Sequence, residues 1–95
     1  MAHYVLMHVD KTGSLPLRMA TREAHLDYAR AHAEMIRIGG PLLTEAGEMS
    51  GSFFILEAES LAAAQAFSDN DPYTLAGLFE RRDLKIFRAT FGAVP

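Results

Sequence analysis

His25 is the residue whose type and position best suit acid–base chemistry, because imidazole changes charge near neutral pH. At 100° per residue, the segment 18–37 separates into an apolar and a charged side. His25 lies on the apolar side, where a polar group needs a hydrogen-bond partner. Two interpretations follow: a core histidine whose hydrogen bonds are satisfied, or a general acid or base.

Three further polar residues are candidates for a site around His25, and each also has a purely structural explanation. Asp71 stands before Pro72, which is typical of a helix N-cap, but its carboxylate could also orient the imidazole of His25. Arg22, one turn before His25, could hold an anionic group or form a surface ion pair. Ser52 begins a predicted strand and could bind a ligand or simply belong to a turn.

The remaining histidines do not suggest a metal site. His3 and His8 are separated by an odd number of residues, so they lie on opposite faces of a strand. His25 and His32 share a helix face but are too far apart to clamp one ion from a single helix. The sequence has no cysteine, no glycine-rich phosphate loop and no zinc-protease or serine-elbow motif. We therefore predict neither a metal nor a cofactor.

The elements that would position these residues follow the order β-α-β-β-α-β. Strands are predicted at 2–10, 41–46, 52–59 and 82–91, and helices at 18–37 and 61–69. Gly39, Gly40 and Pro41 are expected to end the first helix, Ser60 to cap the second, and Asp71-Pro72 to begin a short third one that Gly77 ends. This order predicts an α+β, ferredoxin-like antiparallel sheet with the helices on one face.

Apolar residues occupy both faces of the predicted sheet. The third strand reads Phe53-Phe54-Ile55-Leu56, and the first places Val5, Met7 and Val9 opposite Tyr4 and Leu6. Two helices can cover only one face, whereas a solvated face should be polar. We therefore expect the other face to meet the sheet of a second copy, which gives a homodimer.

Composition limits the remaining function classes. The 95 residues suffice for one domain, 1–95, and the net charge of −3 with nine scattered Lys and Arg argues against nucleic-acid binding. No apolar run approaches the length of a membrane span, and the N-terminus does not resemble a signal peptide. A cytoplasmic location is the default expectation.

A set of short motifs spread along the chain in order resembles the YCII-related (YciI-like) family. The motifs are Arg22-Glu-Ala-His25-Leu, Gly40-Pro41-Leu42, Gly51-Ser52-Phe53, Ser60-Leu-Ala-Ala-Ala, Asp71-Pro72-Tyr73 and Gly77. The resemblance covers nearly the whole chain, and Asp71-Pro72-Tyr73 is its sharpest part. It implies a ferredoxin-like fold, a sheet-to-sheet dimer (a dimeric α+β barrel), and an active site built from His25 and Asp71.

The resemblance also favours a function. The family includes a dehydrochlorinase of chlorinated hydroxyquinols and is similar to muconolactone isomerases, which implies a small cofactor-free lyase or isomerase acting on a cyclic or aromatic molecule. Asp71 would orient His25 for proton transfer, while Arg22, Ser52, Tyr28 and Tyr73 would contact the substrate, with Tyr4 as a further rim residue. The alternative is a non-catalytic dimeric module that binds a small molecule or serves an accessory role.

Overall fold

The fold is a four-stranded sheet with three helices on one face, and the computed structural model describes residues 1–95. The elements in chain order are β1 (Ala2–Asp10), α1 (Leu15–Ala31), β2 (Ile36–Leu43), β3 (Met49–Ala58), α2 (Leu61–Asn70), α3 (Pro72–Leu75) and β4 (Phe79–Phe87). This confirms the predicted α+β ferredoxin-like class.

The sheet has the strand order β2-β3-β1-β4, and all three pairings are antiparallel. The two central strands, β1 and β3, pair in an unbroken register from Ala2 opposite Ala58 to Val9 opposite Gly51. Alternate side chains of β1, namely Tyr4, Leu6 and His8, are buried beneath the helices. The core forms here, because Leu56 and Phe67 join Tyr4 and Leu6 in the space between sheet and helices.

The first helix and the second strand differ from the sequence prediction. Helix α1 ends at Ala31, and β2 begins at Ile36 rather than at residue 41. The backbone N–H of His32 closes the helix by donating to the carbonyls of Tyr28 and Ala29. Gly39 and Gly40 therefore lie within a strand instead of ending the helix, and Pro41 is tolerated because β2 is an edge strand. The charged positions 34 and 37 fit a helical period, but sheet pairing overrides that period.

Two other boundaries also differ from the prediction. The turn between β2 and β3 spans 44–48, where Gly47 adopts φ +86° and the backbone carbonyl of Glu48 accepts from the backbone N–H of Thr44. Strand β3 therefore begins at Met49 rather than at residue 52. Strand β4 begins at Phe79 and ends at Phe87, whereas 82–91 was predicted. Phe91, expected on that strand, lies beyond it with 93% of its surface exposed.

The sheet face opposite the helices carries an apolar surface, which we call the open face. Val5 lies opposite Ile55, and Met7 lies opposite Phe53; in antiparallel pairs such residues point to the same side. Phe87 of β4 shares this side through its pairing with His3. No helix in the chain is both long enough and apolar enough to cross a membrane.

Candidate functional site

His25 and Asp71 lie in direct contact although 46 residues separate them in the sequence. The Nδ1 of His25 lies 2.9 Å from Oδ1 of Asp71. A carboxylate can only accept, so Nδ1 carries the proton and donates, which leaves Nε2 with a free lone pair. Asp71 is fully buried and His25 is 9% exposed. The pair can therefore hold the imidazole in one orientation and one tautomer.

The junction between α2 and α3 fixes the Asp71 side chain. Oδ1 also accepts from the backbone N–H of Tyr73 at 2.9 Å, so Asp71 is the N-cap of α3 as well as the partner of His25. The predicted cap is thus present, and the same oxygen, Oδ1, both caps α3 and contacts His25. The second oxygen, Oδ2, is buried without a hydrogen-bond partner.

The ring of Tyr73 lies between His25 and a buried arginine. The imidazole of His25 stacks on this ring with a centroid distance of 4.1 Å and an interplanar angle of 17°. The guanidinium carbon of Arg18 lies 4.4 Å from the ring centroid. Two planar groups cannot share one face at these distances, so Arg18 and His25 lie on opposite faces of Tyr73. The stack holds the His25 and Tyr73 rings nearly parallel.

Arg18 is 2% exposed and is held at both ends of its guanidinium. Its Nε and Nη2 donate to the two carboxylate oxygens of Asp10 at 2.7 and 3.0 Å, and Nη2 also donates to Oγ of Ser52 at 2.9 Å. Bidentate contacts of this kind are the strongest and most directional ion pairs in proteins. Asp10, at the end of β1, therefore fixes Arg18 relative to the sheet.

A cavity of about 160 Å³ opens beside this cluster, between α1, β2 and β3. Its polar lining comes from Arg18, Arg22, His25, Ser52 and Tyr73, while Leu26, Ile36, Pro41 and Phe54 belong to its apolar lining. Neither Asp10 nor Asp71 lines it, because each lies behind the basic side chain that it contacts. The volume suits a small planar molecule, and the lining combines an apolar floor with a few fixed polar groups.

Five of the six residues predicted from the sequence lie together. His25, Arg22, Ser52 and Tyr73 line the cavity, and Asp71 contacts His25 from behind. Tyr28 does not belong to this group, since its hydroxyl donates to the carbonyl of Phe67 at 2.9 Å in the groove between α1 and α2. Tyr4, expected at the rim, is buried in the core.

Sequence reasoning missed Arg18 and Asp10. Arg18 precedes His25 by seven residues, almost two full helical turns, so the spacing places both on the same face of α1. An arginine on the buried side of a helix is an available signal, because it requires a buried partner. The partner could not be read from the sequence, since it lies on β1 at the other side of a turn.

A second buried histidine lies near the pair. His8 is fully buried, and its Nε2 lies 3.0 Å from Oγ of Ser68. Oγ of Ser68 accepts from Arg82 at 2.9 Å, so its own hydroxyl proton is available for His8. Burial lowers the pKa of His8 to about 4, although the negative charge of Asp71 acts in the opposite direction. His8 is therefore neutral at physiological pH.

The fold and this cluster define an α+β domain with a buried histidine–aspartate pair at a small cavity. Residues 2–88 match the YCII-related domain. The protein YciI of Escherichia coli is 40% identical, over 93% of this chain and 98% of that protein. A Haemophilus influenzae protein is 31% identical over 94% of this chain and 99% of its own length. The chain belongs to the YCII-related family.

A solved structure extends the comparison. The 5-chloro-2-hydroxyhydroquinone dehydrochlorinase TftG of Burkholderia phenoliruptrix, in complex with 2,5-dihydroxybenzoquinone, is 36% identical with a TM-score of 0.84. The match covers 90% of this chain and 93% of that one. A structural relative of this chain is thus an enzyme that acts on a small hydroxylated ring.

Proposed function

We propose that this protein is a small cofactor-free enzyme that uses His25 as a general base and Asp71 as its orienting partner in an elimination or isomerisation of a small cyclic or aromatic molecule. The observation that carries the proposal is the 2.9 Å contact between Nδ1 of His25 and the buried Asp71 carboxylate, at the wall of a cavity. The likeness to TftG supports the choice of substrate class.

The proposed proton transfer requires nothing beyond the residues of the chain. Nε2 of His25 removes a proton from an acidic carbon or hydroxyl of the bound ring, and the buried carboxylate stabilises the imidazolium that forms. The electron pair left on the substrate expels a leaving group in an elimination, or relocates a double bond in an isomerisation. Apolar residues such as Phe54 and Leu26 exclude water from the ring.

The test is turnover of 5-chloro-2-hydroxyhydroquinone, followed by chloride release and by ultraviolet–visible spectra. Asp71→Asn removes the charge but keeps an oxygen that can accept from Tyr73 N–H, so the fold should survive. We expect kcat/KM to fall by about 100-fold or more in Asp71→Asn and in His25→Ala. Tyr28→Phe is the matched control, because its hydroxyl bonds Phe67 away from the cavity.

Unchanged turnover in Asp71→Asn would remove the proposed role of Asp71. Binding without product across chlorinated hydroxyquinols and lactones would instead indicate the non-catalytic binding module. A measurement without substrate is also available: ¹⁵N shifts of the neutral His25 ring should report the Nδ1–H tautomer, and Asp71→Ala should release the ring toward the Nε2–H form.

We also propose that the open face binds the open face of a second copy, giving a homodimer. Its support is the row of apolar side chains that the helices leave uncovered, with Val5, Met7, Phe53, Ile55 and Phe87 on one side of the sheet. Each such side chain contributes about 1.5–3 kcal/mol when fully buried, so a handful offsets the cost of association.

A further inference from the structure

The polar side chains that line the cavity include more hydrogen-bond donors than acceptors. His25 offers an acceptor, Nε2, whereas Arg18, Ser52 and Tyr73 can offer hydrogen-bond donors, and no carboxylate lines the cavity. We call these three residues the donor cluster. A cavity with one acceptor and several donors is suited to a ligand that gives up a proton on one side and carries an electron-rich oxygen on the other.

Arg18 has donor capacity that the chain does not use. Of its five N–H groups, two donate to Asp10 and one to Ser52, and even a contact with the Tyr73 hydroxyl leaves at least one donor on Nη1 free. The side chain is 2% exposed and lines the cavity. A ligand in the cavity can therefore supply the acceptor for this free donor.

Ser52 and Tyr73 add donors at the same wall. Oγ of Ser52 accepts from Arg18, so its own proton remains free to donate. Burial raises the pKa of the Tyr73 hydroxyl above the ordinary value, although the charge of Arg18 and a hydrogen bond from Arg18 oppose this. The hydroxyl is therefore protonated at neutral pH and can donate. Asp10 and the stack on His25 hold the donors in fixed positions.

We propose that the donor cluster binds an oxyanion of the substrate, the enolate or phenolate oxygen that carries negative charge during proton transfer. The inference rests on the proposed function, in which Nε2 of His25 removes the proton. The electron pair of the broken C–H or O–H bond then resides on the oxygen, where Arg18, Ser52 and Tyr73 stabilise it. The substrate is accordingly a small planar ring with an acidic hydroxyl, or a carbonyl conjugated to the acidic C–H.

The test uses 2,5-dihydroxybenzoquinone, a planar dianion at neutral pH, with binding measured by titration calorimetry. Ser52→Ala and Tyr73→Phe each remove one donor, and Tyr73→Phe keeps the ring that stacks on His25. We expect each variant to weaken binding by about 10-fold, the effect of losing a hydrogen bond to a charged group. Tyr28→Phe, which loses a hydroxyl outside the cavity, should bind within about 2-fold of the wild type.

A neutral ring of similar size sharpens the result. For hydroquinone, the two donor variants should lose less affinity, so the ratio of dianion to hydroquinone affinity should fall in both. Arg18→Lys keeps a cation beside buried Asp10 but lacks the paired donors of the planar guanidinium. It should lower the ratio of dianion to hydroquinone affinity further. Wild-type affinity for the dianion in Ser52→Ala and Tyr73→Phe would overturn the proposal, as would a wild-type protein that does not bind the dianion at millimolar concentration.

The two proposals can fail separately. If no ring is turned over but the donor variants still weaken dianion binding, the enzymatic function is wrong and the donor cluster stands as an anion site. If turnover depends on His25 and Asp71 while the donor variants bind and react like the wild type, the enzymatic function stands and the donor cluster is wrong.

Discussion

At the scale of single residues, the His25–Asp71 contact combines two ordinary local roles. His25 occupies the buried face of an amphipathic helix, and Asp71 caps a short one. Neither role by itself needs the other residue. The cap holds the carboxylate independently of His25, because the backbone N–H of Tyr73 donates to Oδ1. The histidine therefore meets an acceptor that is preorganised, which fixes the orientation of the imidazole.

His8 gives the first prediction at this scale, an acid sensitivity of the fold. Its folded pKa of about 4 lies below the ordinary 6.5 of the unfolded chain. Between these values the unfolded state binds a proton that the folded state does not, so stability is complete above pH 6.5 and falls toward pH 4. From pH 7 to 4.5 this effect amounts to about 2–3 kcal/mol. Urea denaturation at the two pH values measures it.

The control for this prediction is His8→Gln, which keeps polar atoms that can bond Ser68 but does not titrate. Its stability should fall less than that of the wild type between the two pH values, with the difference assigned to His8. The groups whose charges act on His8 are Asp71, Arg82, His25 and Arg18, and all are unchanged in the variant. An equal loss of unfolding free energy in both proteins would contradict the prediction, because it would mean that folding does not lower the pKa of His8.

At the scale of elements, the floor of the cavity depends on a close approach between β2 and β3. Gly39 of β2 lies opposite Phe54 of β3. A Cβ atom at Gly39 would overlap the Phe54 ring, with Cε1 only 2.7 Å away. The missing side chain lets the edge strand lie directly on the aromatic ring that lines the cavity and packs near His25. The neighbouring Gly40 has open space at the same position.

We predict that Gly39→Ala destabilises the protein by about 1–3 kcal/mol, because the Phe54 ring must move within a packed core. The displaced ring should also weaken binding of 2,5-dihydroxybenzoquinone. Gly40→Ala is the matched control on the same strand, and its stability should stay within about 0.5 kcal/mol of the wild type. Thermal or urea unfolding measures the stability of both variants. Equal stabilities would contradict the prediction and would mean that β2 shifts to admit the methyl group at position 39.

At the scale of the whole molecule, the open face predicts the assembly state. Ile55 lies in the central strand β3 with Val5 beside it on β1, so a charge there would lie inside the proposed interface. We predict that Ile55→Lys makes the chain monomeric by disrupting the proposed homodimer, since a buried unpaired charge costs several kcal/mol. Sedimentation velocity should show twice the chain mass of 10.5 kDa for the wild type and the chain mass for the variant.

Leu75→Lys is the control for this experiment. Leu75 is also apolar and is 72% exposed, but it lies on α3, away from the open face. The variant should keep the wild-type sedimentation behaviour. A wild-type protein that sediments as a monomer would contradict the proposed dimer, as would an Ile55→Lys variant that stays dimeric.

Sequence patterns alone predict the fold class, the four strands, the two main helices and the cap at Asp71. These features depend on local patterns: β-rich apolar runs, a 3.6-residue period and short-range capping chemistry. The boundary between α1 and β2 was wrong because the same residues fit both a helical and a sheet pattern. Pairing with β3 decides it: the backbone N–H of Glu57 donates to the carbonyl of Met35, just before β2 begins.

The residues that meet around the cavity are brought together by long-range packing rather than by local sequence patterns. The family resemblance had already implied a His25–Asp71 pair, but the contact itself joins positions 46 residues apart, and no local pattern specifies it. The partners of Arg18 could not be predicted for the same reason, since Asp10 and Ser52 come from two different strands. Tyr28 was misplaced in the site because a helical face points toward the whole core. Which part of that core a side chain meets depends on how α2 packs beside α1. Here the backbone carbonyl of Phe67 accepts a hydrogen bond from the Tyr28 hydroxyl.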